Sequence, residues 1–217
     1  MKKLLTLAAA WLLFVGAVSA QTYYNVGYGT GMLIWNGKYD AADNSNIFYA
    51  GVSHNFRFGD FVGFELGANF AYDLAKTKHD VAAFAVVMPE YEGYPEGTYM
   101  GWKTKRPGIV VPALFNYKLP LSRDLSLKFF LGPTFKYGLK YTSTEYIGKE
   151  DGYTHDYYAD ASTLQHCSVW ASAAASLEVA DAFRVKIGYD YGLTDIYPKE
   201  SAVVKQNVLN FSLSYIF

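Results

Sequence analysis

Three groupings of residues have the types and spacing that chemistry requires. His166-Cys167-Ser168 sets an imidazole two positions from a hydroxyl, and residues two apart on a strand share a face. A histidine that takes a serine's proton is the minimum for nucleophilic hydrolysis, with a carboxylate to orient the ring. The next carboxylate along that segment is Glu178, roughly 40 Å away at about 3.3 Å per extended residue. His79-Asp80 and His155-Asp156, with Asp160, put imidazoles and carboxylates in polar connecting segments. They fit a metal site no better than an ordinary solvated surface. The third grouping is the largest: Arg57, Glu65, Asp73, Lys128, Lys136, Lys140, Glu178, Arg184, Lys186 and Asp190 recur at alternate positions among apolar residues.

That alternation defines the elements. Val62, Phe64, Leu66, Ala68, Phe70, Tyr72 and Leu74 fall on one side of an extended chain, with Glu65, Asn69 and Asp73 on the other. Leu125 through Tyr141 repeats the division at odd positions, against Ser126, Lys128, Thr134, Lys136 and Lys140. Phe183, Val185, Ile187, Tyr189, Tyr191 and Leu193 repeat it against Arg184, Lys186 and Asp190. Period-two patterning predicts strands with one apolar and one polar environment. Eight such segments are expected, near 24–35, 47–58, 61–74, 107–119, 125–142, 164–179, 182–194 and 205–217. Tight turns at Gly59-Asp60, Pro120 to Asp124 and Ala180-Asp181 alternate with long polar connections at 36–46, 75–106, 143–163 and 195–204.

The chain of 217 residues opens with Lys2 and Lys3, an apolar run from Leu4 to Val18, and small residues at Val18-Ser19-Ala20. This reads as a cleaved secretory signal peptide over 1–20, leaving one domain over 21–217. The net charge is −1, and no clustered basic excess points to nucleic acid. Cys167 is the single cysteine, so no internal disulfide is available. Past the leader no stretch approaches the ~20 apolar residues of a spanning helix, although the chain holds 20 Tyr, 15 Phe and 4 Trp.

Strands with an apolar exterior can span lipid only if they close on themselves, because lipid offers backbone groups no partners. The expected fold is all-β: an eight-stranded antiparallel up-and-down transmembrane β-barrel with short periplasmic turns and long extracellular loops. A soluble lipocalin-like barrel would put its apolar faces inward and lacks this long-short rhythm. Pro112 lies within the fourth segment, where a bulge or bend is expected, since proline removes a ladder donor. In the second long connection, Val81 to Met88 is almost wholly apolar and should be covered by something.

Two stretches carry a family resemblance. Gly108-Ile-Val-Val-Pro112-Ala-Leu-Phe-Asn-Tyr-Lys118 with Phe130-Leu-Gly-Pro133, and Gly188-Tyr-Asp-Tyr-Gly-Leu-Thr194 with the closing strand, resemble the PorT-type, OmpA-like outer-membrane β-barrel domains. The resemblance implies an envelope barrel rather than a particular chemistry. Leu213, Tyr215 and the terminal Phe217 resemble the C-terminal signature that the barrel-assembly machinery reads in outer-membrane proteins. His166 and Ser168 resemble the short His-x-Ser motif of lipid A deacylases, but alternation turns both inward, and the residues that follow that motif are missing.

The reading is therefore an integral barrel of a Gram-negative outer membrane, both termini periplasmic, non-enzymatic, with no cofactor, metal or catalytic residue. Its expected partners are outer-membrane lipid and lipopolysaccharide, the assembly machinery, and an extracellular ligand met by the loops. Arg57, Glu65, Lys128, Glu178, Arg184 and Lys186 are expected to form a charge network in the lumen. A narrow passive channel for ions or small solutes is the alternative, and a lipid-modifying enzyme a further one.

Overall fold

The computed structural model describes residues 20–36, 41–77, 79–80, 98–148, 150–156, 158, 165–196 and 203–217. Its strands are β1 (Ala20–Asn36), β2 (Ala41–Arg57), β3 (Val62–Lys76), β4 (His79–Asp80), β5 (Tyr99–Pro120), β6 (Leu125–Gly138), β7 (Thr142–Ile147), β8 (Glu150–Asp156), β9 (Cys167–Val179), β10 (Phe183–Gly192) and β11 (Val203–Ile216). Eight of them form a closed antiparallel barrel in the order β1, β2, β3, β5, β6, β9, β10, β11. The first and last strands pair from Tyr23↔Ile216 to Asn36↔Val203. β3 pairs with β5 to complete the ring.

The barrel is apolar outside and polar inside. Phe129, Leu131, Phe183, Val185, Leu213 and Tyr215 stand on the outer surface, whereas Glu65, Lys128, Arg184 and Ser214 are buried. Medium imposes this division: each strand touches lipid on one side and a crowded lumen on the other, so alternate residues answer to different solvents. Small inward residues leave room for large ones. The Tyr49 ring lies where a side chain on Gly27 would stand, and Ser45 and Gln206 fill the space beside Gly31.

The tight turns are local in origin. Ala180 and Asp181 both adopt left-handed backbone, with φ of 53° and 48°, as a two-residue I′ hairpin turn requires. The Ala182 amide donates to the Val179 carbonyl at 3.0 Å to close that turn.

Three expectations need correction. Pro112 causes no bulge: β3 meets β5 at Leu66↔Ala113 and again in the same register at Asn69↔Val110. Its ring rests against Gly67, so the missing side chain opposite, rather than a bend, makes room for it. The segment 125–142 is not one regular strand. β5 pairs Gly108 with Gly138 but Lys105 with Thr142, so β6 and β7 follow each other along β5 with one extra residue between them. Such an insertion reverses facing. Tyr141, expected outside, is consequently buried with Ile196. The connections at 75–106 and 143–163 also hold sheet. β5 starts at Tyr99, β4 continues the β3 register on it at His79↔Met100, and β7 turns into β8. The expected leader over 1–20, except Ala20 in β1, and the apolar segment 81–88 lie outside the described residues.

A nitroxide placed at Leu131 should collide with oxygen dissolved in lipid, and one at Thr134 should be shielded from it. The reverse pattern at both positions would overturn the assigned facing, because a strand cannot flip at one residue alone.

Candidate functional site

The lumen is crossed by two layers of buried ion pairs. In the layer nearer the tight turns, β3 contributes Glu65, β10 contributes Arg184 and Lys186, β6 contributes Lys128 and β9 contributes Glu178. Arg184 donates to Glu65 through Nη1 and Nη2, Nη2 lying 3.3 Å from Oε1. Lys186 Nζ reaches the same Oε1 at 3.3 Å. Lys128 Nζ is 2.9 Å from Glu178 Oε1. Tyr23 joins the two groups: its hydroxyl donates to Glu178 at 2.9 Å and accepts from Lys128 at 2.9 Å. Its ring lies 3.9 Å below the Arg184 guanidinium. Asn25 and Ser214 take up Arg184 Nη2 at 3.3 and 3.4 Å.

The second layer centres on Asp73. Its Oδ2 accepts from Arg106 at 2.7 Å, Lys136 at 3.1 Å and Gln206 at 3.0 Å. Gln206 also donates to Ser45 at 3.1 Å. The Trp170 indole N–H donates to the Gln206 backbone carbonyl at 2.8 Å, and Lys136 lies 5.8 Å over the Trp170 ring.

Burying ions is costly unless partners and hydrogen bonds replace water. Both layers set two cations on each β3 carboxylate, while Asp73 Oδ1, Glu178 Oε2 and Arg184 Nε have no hydrogen-bond partner among the described residues. Between them lies a cavity of about 80 Å³ lined by Asn69, Lys136, Trp170, Lys186, Asp190 and Asn210, among others. Asn210 donates to Asp190 at 2.9 Å, while Asn69 Oδ1 has no partner among the described residues.

Of the six residues singled out for a lumen network, the structure brings together Glu65, Lys128, Glu178, Arg184 and Lys186. Arg57 is not among them. It is half-buried at the last position of β2, where a long side chain reaches water instead of the layer. Lys140 also leaves the lumen and pairs with Asp156 at 3.4 Å. Arg106, Gln206 and Tyr23 belong to the layers but were absent from the sequence reading. Arg106 precedes the expected fourth segment, 107–119, by one residue, and the signal that places it inside is the even-numbered parity it shares with Pro112 and Asn116.

The other chemical groupings are not assembled. The His166 ring is stacked 4.0 Å from Tyr158 and 5.5 Å from Tyr137, with Nδ1 2.9 Å from the Gly138 carbonyl oxygen. Ser168 is buried on the lumen wall, and no hydrogen bond joins the two among the described residues. His155 packs edge-on to Tyr153, and Asp160 lies outside the described residues. No cluster of potential metal ligands occurs among the described residues.

A closed eight-stranded barrel with an apolar exterior and a charged interior defines a small outer-membrane barrel protein. The chain belongs to the outer membrane protein beta-barrel domain family, whose model matches residues 17–197. That general description is the family shown, rather than the narrower PorT-type one. No curated protein shows a match to this chain. Among solved structures, the attachment invasion locus protein Ail of Yersinia pestis is 12% identical, with a TM-score of 0.42 over 92% of this chain and 99% of that one. Neisserial surface protein A is 12% identical, with a TM-score of 0.39 over 89% and 97%. The outer-membrane enzyme PagL is 12% identical, with a TM-score of 0.38 over 89% and 98%. At these identities the likeness is one of fold.

Replacing Glu65 by Ala leaves Arg184 and Lys186 without their carboxylate. The barrel should lose about 3–5 kcal/mol of stability in a urea titration. A loss under about 1 kcal/mol would mean that the pair is wet and carries little of the fold.

Proposed function

We propose that the protein is a surface-binding barrel of the Gram-negative outer membrane, its closed stem anchoring a sheet that extends outward from the membrane. The observation that carries this reading is the pairing of a blocked lumen with a one-sided extension. Two ion-pair layers cross the stem, and β4, the first residues of β5, β7 and β8 all lie at the end away from the tight turns. In this orientation both termini are periplasmic and the extended sheet meets the exterior. Tyr153, 71% exposed on β8, stands where an extracellular ligand would be met, and tyrosine suits such contacts. The closing strand supports delivery by the barrel-assembly machinery, with Leu213 and Tyr215 facing outward and Phe217 85% exposed at its end.

Binding is favoured over hydrolysis because His166 is engaged by a backbone carbonyl and two rings, while Ser168 faces the lumen. One observation favours the second reading, passive passage of ions: the cavity of about 80 Å³ between the layers.

Planar-bilayer recording separates the two. The wild-type barrel should show no steady large open state, and the Glu65→Ala variant should show more frequent openings. A steady, large conductance in the wild type would contradict the closed stem and establish the channel.

A further inference from the structure

The cavity between the two ion-pair layers has a lining of two kinds. Ile47, Ala71, Trp170 and Val208 pack together as its apolar part. Asn69, Lys136, Lys186, Asp190 and Asn210 supply much of the rest. Its volume is about 80 Å³, whereas an engineered apolar cavity that admits benzene measures about 150 Å³. Nothing larger than a few solvent molecules fits.

The polar part of the lining has hydrogen-bonding capacity to spare. Asn69 stands on β3 midway between Glu65 and Asp73, so it is level with the cavity and belongs to neither layer. It is 7% exposed, and its Oδ1 accepts from no described residue. Asp190 also belongs to neither layer. Its described bond comes from the neutral side chain of Asn210, whose Nδ2 donates at 2.9 Å. An ammonium group carries three N–H donors. Among the described bonds, Lys136 directs one to Asp73 at 3.1 Å and Lys186 one to Glu65 at 3.3 Å.

This mixture selects the occupant. A cavity stays empty when its lining is apolar, and a polar one of sufficient size takes up water. A cation here would meet two ammonium groups. An anion would meet the Asp190 carboxylate and the bare oxygen of Asn69. Water both donates and accepts, so it serves every group in the lining.

We propose that the cavity is a water-binding site holding a cluster of about five molecules, which accepts from Lys136 and Lys186 and donates to Asn69 Oδ1 and Asp190. Lys186 belongs to the layer nearer the tight turns and Lys136 to the other, so the cluster joins the two layers through solvent. Such bridges are nearly as favourable in enthalpy as direct bonds. The cluster also gives Asp190 the donors that Asn210 alone does not supply. The stem is then closed at two levels and wet between them.

The test uses the whole protein reconstituted in lipid vesicles, with proton-detected solid-state NMR. Water should give cross-peaks to the side-chain amides of Asn69 and Asn210. Ala174 lines the cavity from β9, and Ala174→Leu puts apolar bulk in the place of the waters. That variant should lose both cross-peaks and unfold at a lower temperature on a heat-modifiability gel, because Asn69 and Asp190 lose their partners. An empty cavity gives the opposite result: no cross-peaks in the wild type, and a leucine that raises the unfolding temperature by filling a void. Cross-peaks that persist in the leucine variant would put the water elsewhere and overturn the site. Ala174→Val adds less bulk and should weaken the same peaks, which keeps the test decisive where the leucine variant fails to fold. Crystals soaked in rubidium bromide should show no anomalous density in the cavity; a rubidium or bromide peak there would replace the water cluster with an ion and overturn the proposal.

Discussion

Two carboxylates on one strand organise the interior of this barrel. Glu65 and Asp73 stand on the inward face of β3, and each is held by a pair of cations, Arg184 with Lys186 and Arg106 with Lys136. Charges in so narrow a lumen have almost no water to fall back on, so each must find its counterpart on a strand across the ring. That demand couples β3 to β5, β6 and β10 through side chains, in addition to the backbone ladder. Glu178 and Lys128 extend the same logic to β9, and Tyr23 brings in β1. The ladder closes the cylinder because lipid leaves its polar groups no other partner. The ion pairs then cross-link its interior on either side of the cavity of about 80 Å³.

The membrane-embedded part was legible in the sequence because two media impose a period of two on it. Phe64, Leu66, Phe129 and Val185 could be set outside, and Glu65, Lys128 and Arg184 inside, from parity alone. Past the headgroups the outer face no longer needs apolar residues, and half of the pattern that wrote the period is gone. For that reason Tyr99 to Arg106, with Lys103 and Lys105 at its outward positions, read as loop although Met100 and Arg106 are buried in β5, and Thr142 to Asp156 hid a hairpin. Tyr141 shows a second limit. One inserted residue between β6 and β7 turns it inward, and nothing in the local pattern announces the insertion. Pro112 shows a third: whether proline bends a strand depends on what faces it, and here Gly67 across the pair absorbs the ring.

The chemical readings failed or held for similar reasons of reach. A His-x-Ser pair is a site only if the ring and hydroxyl converge. His166 instead precedes the strand and lies between two tyrosine rings, so the spacing that suggested catalysis has no geometry behind it. The ionic residues converged because a ring of strands brings distant positions together. Glu65 and Arg184 are 119 residues apart in sequence and in contact in space. Parity could narrow Glu65 to an inward position but could not choose among three cations, a choice made by stagger and tilt.

The lumen ion pairs join strands across the ring and hold the stem together. A double-mutant cycle on Glu65→Gln and Arg184→Gln, read by urea unfolding in detergent micelles, addresses it most directly. If the pair holds the stem as described, the two losses will be strongly non-additive, with a coupling of about 2 kcal/mol or more. Losses that simply add, within about 0.5 kcal/mol, would contradict it and leave the charges as a solvated lining.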